Sequence, residues 1–209
     1  MSALEKLATF RNRIRRDGLR TGLAAAYAGL RDRVRPPSET ILWLRPADVV
    51  RIEAPAGATL RVLRSLDELS AEERRAVERS ISASTLDIWR QRFAAGLEAH
   101  LMFLEGRLAA SRFVIWGRAC PFFHVVLTEN DTMSMDLRVD PDLRGRGLAT
   151  AFFSQSVQEL ARSGCERIYV TVLVNNVTVN RMVERLGFKP LVRWRHVRGG
   201  YGYERPVIR

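Results

Sequence analysis

The sequence predicts an α/β domain, a largely antiparallel central sheet flanked by helices, behind a basic helical extension. Three patterns carry that prediction. The first 36 residues set arginines against a stripe of apolar residues. From Leu60 onward, short runs rich in β-branched and aromatic residues alternate with segments of helical period. Near residue 145 a glycine-bearing turn joins a strand to a helix.

In the extension, Leu4, Leu7 and Ile14, and then Leu19, Leu23, Tyr27, Leu30 and Val34 at steps of three or four, place an apolar stripe on one side of a helix. Pro36 and Pro37 end it, so residues 1–37 read as the extension and 38–58 as a linker to a domain over 59–209. The net charge of +11 is concentrated here: residues 1–36 hold nine Lys/Arg against three Asp/Glu. The Arg15-Arg16 pair before an apolar stretch imitates a secretory leader, but Gly18, Arg20 and Gly22 interrupt that stretch. A cytoplasmic protein is expected, in which residues 1–37 either pack on the domain as a structural helix or dock peripherally on an anionic membrane or an acidic carrier protein.

Leu60–Leu63 reads as a strand, and Ser70-Ala71-Glu72-Glu73 has the capping-box spacing that opens a helical stretch running to Ala95. His100–Leu104, Ala109–Trp116 and Phe122–Leu127 read as an antiparallel meander, with Glu105-Gly106-Arg107 as the first turn. Met133–Val139 is the next strand, and Pro141 stops it by lacking an N–H. Ala149, Phe152, Phe153, Val157 and Leu160 form the apolar face of a helix closed by Gly164. Ile168–Val174 is a β-branched strand, and Asn176 caps a short helix that ends at Gly187. Leu191–Val197 and Tyr201–Val207 read as a closing hairpin.

No apolar run approaches the roughly 20 residues of a spanning helix, which excludes multi-span membrane classes. Two cysteines, Cys120 and Cys165, are too few for a disulfide scaffold, and no metal-ligand spacing surrounds either, so no metal is expected.

The chemistry centres on Arg144-Gly145-Arg146-Gly147-Leu148-Ala149. Glycines let a ligand approach the backbone, and the unpaired first-turn amides and dipole of the following helix attract phosphate oxygens. The same six residues would also serve as a plain strand-to-helix turn. They carry neither the Gly-Lys-Ser/Thr of a nucleoside triphosphate loop nor the third glycine of a dinucleotide fingerprint.

With its flanks, this segment closely resembles the Gcn5-related N-acetyltransferase (GNAT) superfamily. Val139-Asp140-Pro141 followed by Arg144, Gly147 and Ala149 fits the family's main motif, and Asn176 lies eleven residues before Gly187-Phe188, as in its second. The resemblance implies a mixed sheet, the pyrophosphate of coenzyme A on the Arg144–Ala149 turn, and Asn176 among the coenzyme-binding residues. It also implies that the strand splays near Leu137 and Val139, freeing a backbone N–H to polarise a thioester carbonyl. The implied reaction is direct attack of an amine on acetyl-CoA or a longer acyl-CoA, with an acyl carrier protein as the other donor.

A departure stands at Val183, where many members place a tyrosine that protonates the departing thiolate. Either a water or another side chain does that work here, or no acid is needed, since a coenzyme A thiol, with a pKa of about 8.5, leaves tolerably well at neutral pH. The alternative is a protein that binds acyl thioesters without turnover. Asp136, on the motif strand, is the leading candidate base, and strand alternation places it with Ser134 and Arg138, opposite Met133, Met135, Leu137 and Val139. A buried aspartate capping a turn or pairing with an arginine there is the structural alternative. His124 is the second candidate, ahead of His100 and His196. A small-molecule or peptide amine is the expected acceptor. The excess positive charge also suits an aminoacyl-tRNA acceptor, and a homodimer is compatible with the sequence.

Overall fold

Seven strands form one mixed sheet in the order β2-β3-β4-β5-β6-β1-β7, where β1 is Glu39–Pro46, β2 Ala58–Leu63, β3 Glu98–Leu104 and β4 Arg107–Trp116. The others are β5, Asp131–Val139, β6, Arg167–Leu173, and β7, Lys189–Arg195. The computed structural model describes residues 39–47, 52–117 and 127–195. Among neighbouring strands only β5 and β6 run parallel.

Helices cover both faces. On one lie α1, Ala71–Ser80, and α2, Ala83–Ala94; on the other lie α3, Leu148–Arg162, and α4, Val177–Arg185. Val77 and Trp89 pack with Leu101, Phe113 and Met133 on the first face. Phe153, Val157 and Val183 pack with Val114 and Ile168 on the second. Trp89 and Phe113 meet edge to face at 5.3 Å.

Local chemistry sets the element ends. Ser70 and Glu73 form the reciprocal capping box, with bonds of 3.2 and 2.8 Å. The helical stretch to Ala95 divides at Ile81, because Ser82 caps a second helix. Glu105 and Gly106 both have positive φ, 51° and 70°, the geometry that turns β3 into β4 in two residues. Both α3 and α4 end in Schellman motifs: Gly164 and Cys165 bond back to Ala161 and Leu160, and Gly187 and Phe188 to Glu184 and Val183.

Residues 38–58 are not simply a linker. Glu39–Pro46 enters the sheet between β6 and β7, antiparallel to both. Ile41-Leu42-Trp43-Leu44 is apolar throughout because the strand is covered on both faces, Leu42 packing on the α1–α2 side and Trp43 on the α3–α4 side. Arg45 donates to the Leu186 carbonyl and fixes the end of β1 to the end of α4. Trp43 Nε1 donates to Asn180 at 3.1 Å. The expected strand over 122–127, apart from Leu127, and the second arm of the closing hairpin lie outside the described residues, as do residues 1–37. Among the described residues no helix is long and apolar enough to cross a membrane.

Candidate active site

The site begins where β5 and β6 part. Their parallel register runs from Asp131 opposite Arg167 to Ser134 opposite Val170 and stops there, although β5 continues to Val139 and β6 to Leu173. Beyond Ser134, β5 keeps β4 on one side and, among the described residues, has no ladder partner on the other. A bulge produces the divergence. Phe113 opposes Met135 and Ser111 opposes Arg138, so Arg112 alone spans both Asp136 and Leu137. Asp136 carries the extra turn with φ of 52°, a left-handed conformation that aspartate tolerates better than most residues.

The bulge corrects the alternation expected along this strand. Met133 and Met135 pack on the α1–α2 face, whereas Leu137 and Val139 pack beneath α3, so the four do not share a side. One inserted residue exchanges the faces of everything that follows. Asp136 therefore reaches the α1–α2 side, where its half-exposed carboxylate forms an ion pair with Arg92 of α2. Arg92 in turn lies 4.7 Å over the Phe113 ring. Arg138 follows on the same side, lining a pocket with α1.

After Val139 the chain makes a 3₁₀ turn over Pro141–Leu143, with Asp140 accepting from the Asp142 amide at 3.0 Å. Arg107 bridges Asp140 and Asp142 at 2.9 and 3.2 Å, and Arg144 Nε donates to the Val139 carbonyl at 3.2 Å. Gly145 and Gly147 then take φ of 78° and 75°, and an added Cβ at either would meet nothing within 4 Å. No side chain caps α3, and among the described residues the amides of Gly145 to Leu148 have no acceptor. An open cradle of main-chain donors at a helix N-terminus suits a pyrophosphate. Leu148 is buried under the sheet and Ala149 is partly buried, so these two contribute backbone rather than side chain.

Asn176 caps α4, its Oδ1 accepting from Val179 at 3.3 Å. The residue that organises the β6–α4 turn is Asn180, unmarked by the sequence reading. Its Nδ2 donates to the carbonyls of Leu173, Val174 and Asn176 while its Oδ1 receives Trp43. An asparagine inside a helix was the available signal.

Val183 is fully buried on the core side of α4, and its aliphatic side chain has no proton to give. His124 and His196 lie outside the described residues. His100 is fully buried, its Nδ1 sharing a short hydrogen bond with Ser156, and burial together with the nearby Arg112 holds its pKa well below the usual histidine range. That places it in the core rather than the cleft. Arg112 is also fully buried; its guanidinium lies 4.4 Å over Phe153, and none of its three nitrogens has a hydrogen-bond partner among the described residues. Desolvation pushes its pKa down to about 9. Cys165 is buried against Thr132, and burial raises its thiol pKa. Among the described residues no group of three or more His, Cys, Asp or Glu could hold a metal ion.

A splayed pair of parallel strands, a bulge at the opening and an uncapped glycine turn define a fold class, and the comparisons agree with it. The Acetyltransferase (GNAT) family model matches residues 65–188, more than half of the chain, and the protein belongs to that family. It is similar to a putative GNAT acetyltransferase from Novosphingobium aromaticivorans, at 20% identity and a TM-score of 0.51, over 77% of this chain and 62% of that one. A GCN5-related N-acetyltransferase from Sphaerobacter thermophilus matches at 20% and 0.52, over 76% and 50%. A tandem GNAT protein from the clavulanic acid biosynthesis pathway matches at 17% and 0.53, over 82% and 56%. The chain thus spans about half to three-fifths of the length of these structures.

Proposed function

We propose that the protein transfers an acyl group from acyl-CoA to an amine by direct attack on the thioester. The observation that supports it most strongly is the juxtaposition of the opening between β5 and β6 with the uncapped turn at Gly145–Leu148. The turn would hold the pyrophosphate on main-chain N–H groups, with Arg144 and Arg146 adding positive charge. The unpaired edge of β5 over Leu137–Val139 would receive the pantetheine and offer a backbone N–H to the thioester oxygen as negative charge develops on it. Asn176 would shape the far wall of the cleft through its cap on α4.

Asp136 is the proposed base. Arg92 holds its carboxylate at the bulge, on the face from which an acceptor can approach. The amine nitrogen forms a bond to the carbonyl carbon, the carbon–sulfur bond breaks, and the amine proton passes to the carboxylate or to water. Because Val183 offers no acid, coenzyme A departs as the thiolate. An acyl carrier protein as donor, docked through the basic stripe of residues 1–37, belongs to the same reading, as does peripheral attachment of that stripe to an anionic membrane.

Release of free thiol from acetyl-CoA and octanoyl-CoA, followed with a panel of amines, tests this reading. Amine-dependent release is expected. Tight donor binding with no release for any amine would instead make the protein a thioester-binding one.

A further inference from the structure

A cavity of about 700 Å³ opens beside the bulge on the α1–α2 side. It is lined by the last turn of α1 with Ile81 after it, the first half of β4, the end of β5 and the Pro141 turn. Its volume is that of a small-molecule site. Four arginines, Arg79, Arg107, Arg138 and Arg144, face two aspartates, Asp140 and Asp142, leaving a surplus of two positive charges. The charges are unequally satisfied. Arg107 is bound to both aspartates, and Arg144 is engaged through its Nε with Val139. Arg79 and Arg138, exposed and approaching from α1 and β5, have no acceptor among the described residues.

We propose that this pocket binds the anionic group of the amine acceptor, a carboxylate or a phosphonate-like oxyanion, on Arg79 and Arg138. The inference rests on the acyl-transfer reading and names the class of acceptor for it. Arg138 lies two residues beyond Asp136, and the bulge leaves both on the α1–α2 side of β5. An acceptor held by Arg138 at its charged end therefore presents an amine toward Asp136 when a few methylene groups separate the two. The pocket meets the pyrophosphate turn at Arg144, whose Nε is held by the Val139 carbonyl, and Gly145 to Ala149 do not line it.

The test compares linear aminoalkanoic acids, their uncharged amides and the matching aminoalkylphosphonates as acceptors. For the wild-type protein the charged acceptors should exceed the amides by about tenfold or more in kcat/KM, the usual scale of a charge-assisted contact. In the Arg79→Ala, Arg138→Ala double variant the preference should vanish while amide turnover, the KM for acyl-CoA and the urea midpoint stay unchanged. Arg138→Lys should restore part of it. The carboxylate and phosphonate arms show which oxyanion the pocket prefers.

Equal kcat/KM for acids and amides in the wild type overturns the proposal. So does weakened coenzyme A binding in the double variant, which would give the arginines to a phosphate of the donor. If no amine is turned over although acyl-CoA binds, the acyl-transfer reading fails instead. Calorimetry with the corresponding N-acetylated acids and amides then decides the pocket alone: arginine-dependent binding of the acids supports it, and binding indifferent to the two arginines overturns it.

Discussion

Replacing Gly147 by alanine separates the strain of the Gly145–Leu148 turn from its proposed use in holding a pyrophosphate. At φ of 75° an L-residue costs roughly 1–2 kcal/mol, and the lower entropy of the unfolded alanine variant returns about 0.4–1 kcal/mol of that. The added methyl group meets no protein atom within 4 Å, so no packing clash contributes. The net destabilisation should be about 1 kcal/mol, small against the 5–15 kcal/mol of an ordinary domain, and the protein should remain folded. In the proposed binding mode, that same empty space is where a phosphate oxygen would come within hydrogen-bond distance of the turn's amides. Losing one charge-assisted bond of about 1.5–3 kcal/mol weakens coenzyme A roughly ten- to hundredfold. Urea unfolding measures the first quantity and isothermal titration with coenzyme A the second. Gly147→Val should be worse on both counts, and Arg146→Ala milder in binding. An unchanged coenzyme A affinity in folded Gly147→Ala would falsify the assignment of this turn to the donor.

Asp136→Asn should lower turnover at neutral pH with donor affinity intact and recover only partly at high pH; identical pH–rate profiles would leave the carboxylate the task of holding the bulge to Arg92. His100, kept neutral by burial, takes a proton more readily when unfolded, so stability should fall as pH drops below about 6.5, by up to about 1.4 kcal/mol per unit. Urea midpoints at pH 7.5 and 5.5 check this, and a His100→Asn protein with the same slope would count against it. Arg112→Met should stabilise the fold by about 1–4 kcal/mol at neutral pH, because it removes a buried charge with no partner among the described residues. The unfolded chain holds the Arg112 proton more tightly, so the wild-type deficit should narrow as pH rises past about 9. A methionine variant of equal or lower stability would show that the guanidinium is satisfied in a way its geometry does not reveal.

The parts of the fold that were legible in the sequence are those fixed by local chemistry. Ser70-x-x-Glu73, the Glu105-Gly106 turn, Gly164 and Gly187 each act within a few residues, and each sets an element end where the spacing puts it, although the helix that Ser70 opens stops at Ser80 instead of running to Ala95. The glycine turn and α3 share that property, since positive φ and an uncapped helix start depend on Gly145 and Gly147 themselves. What sequence patterning could not supply is set by distant partners. Ile41–Leu44 is a strand only because β6 and β7 flank it, and four apolar residues without alternation carry no period. The bulge exchanges the faces of β5 through its register with β4, which no count along Met133–Val139 reveals. The ion pair of Asp136 with Arg92 spans 44 positions, and the clamp of Asn180 on Trp43 spans 137. In the candidate site, the geometry of the glycine turn was therefore readable, whereas the surroundings of Asp136 and the buried Arg112 were not.

The central claim is that acyl-CoA lies with its pyrophosphate on the turn after β5 and its pantetheine along the unpaired edge of that strand. Titrating the isotopically labelled protein with a non-hydrolysable acyl-CoA analogue, and following each backbone amide by NMR, tests it most directly. The account predicts saturable shifts at Leu137 and Val139 and at Gly145 to Ala149, with little change along β2 and β3. Saturation that leaves those amides unmoved, or no binding at all, would contradict it.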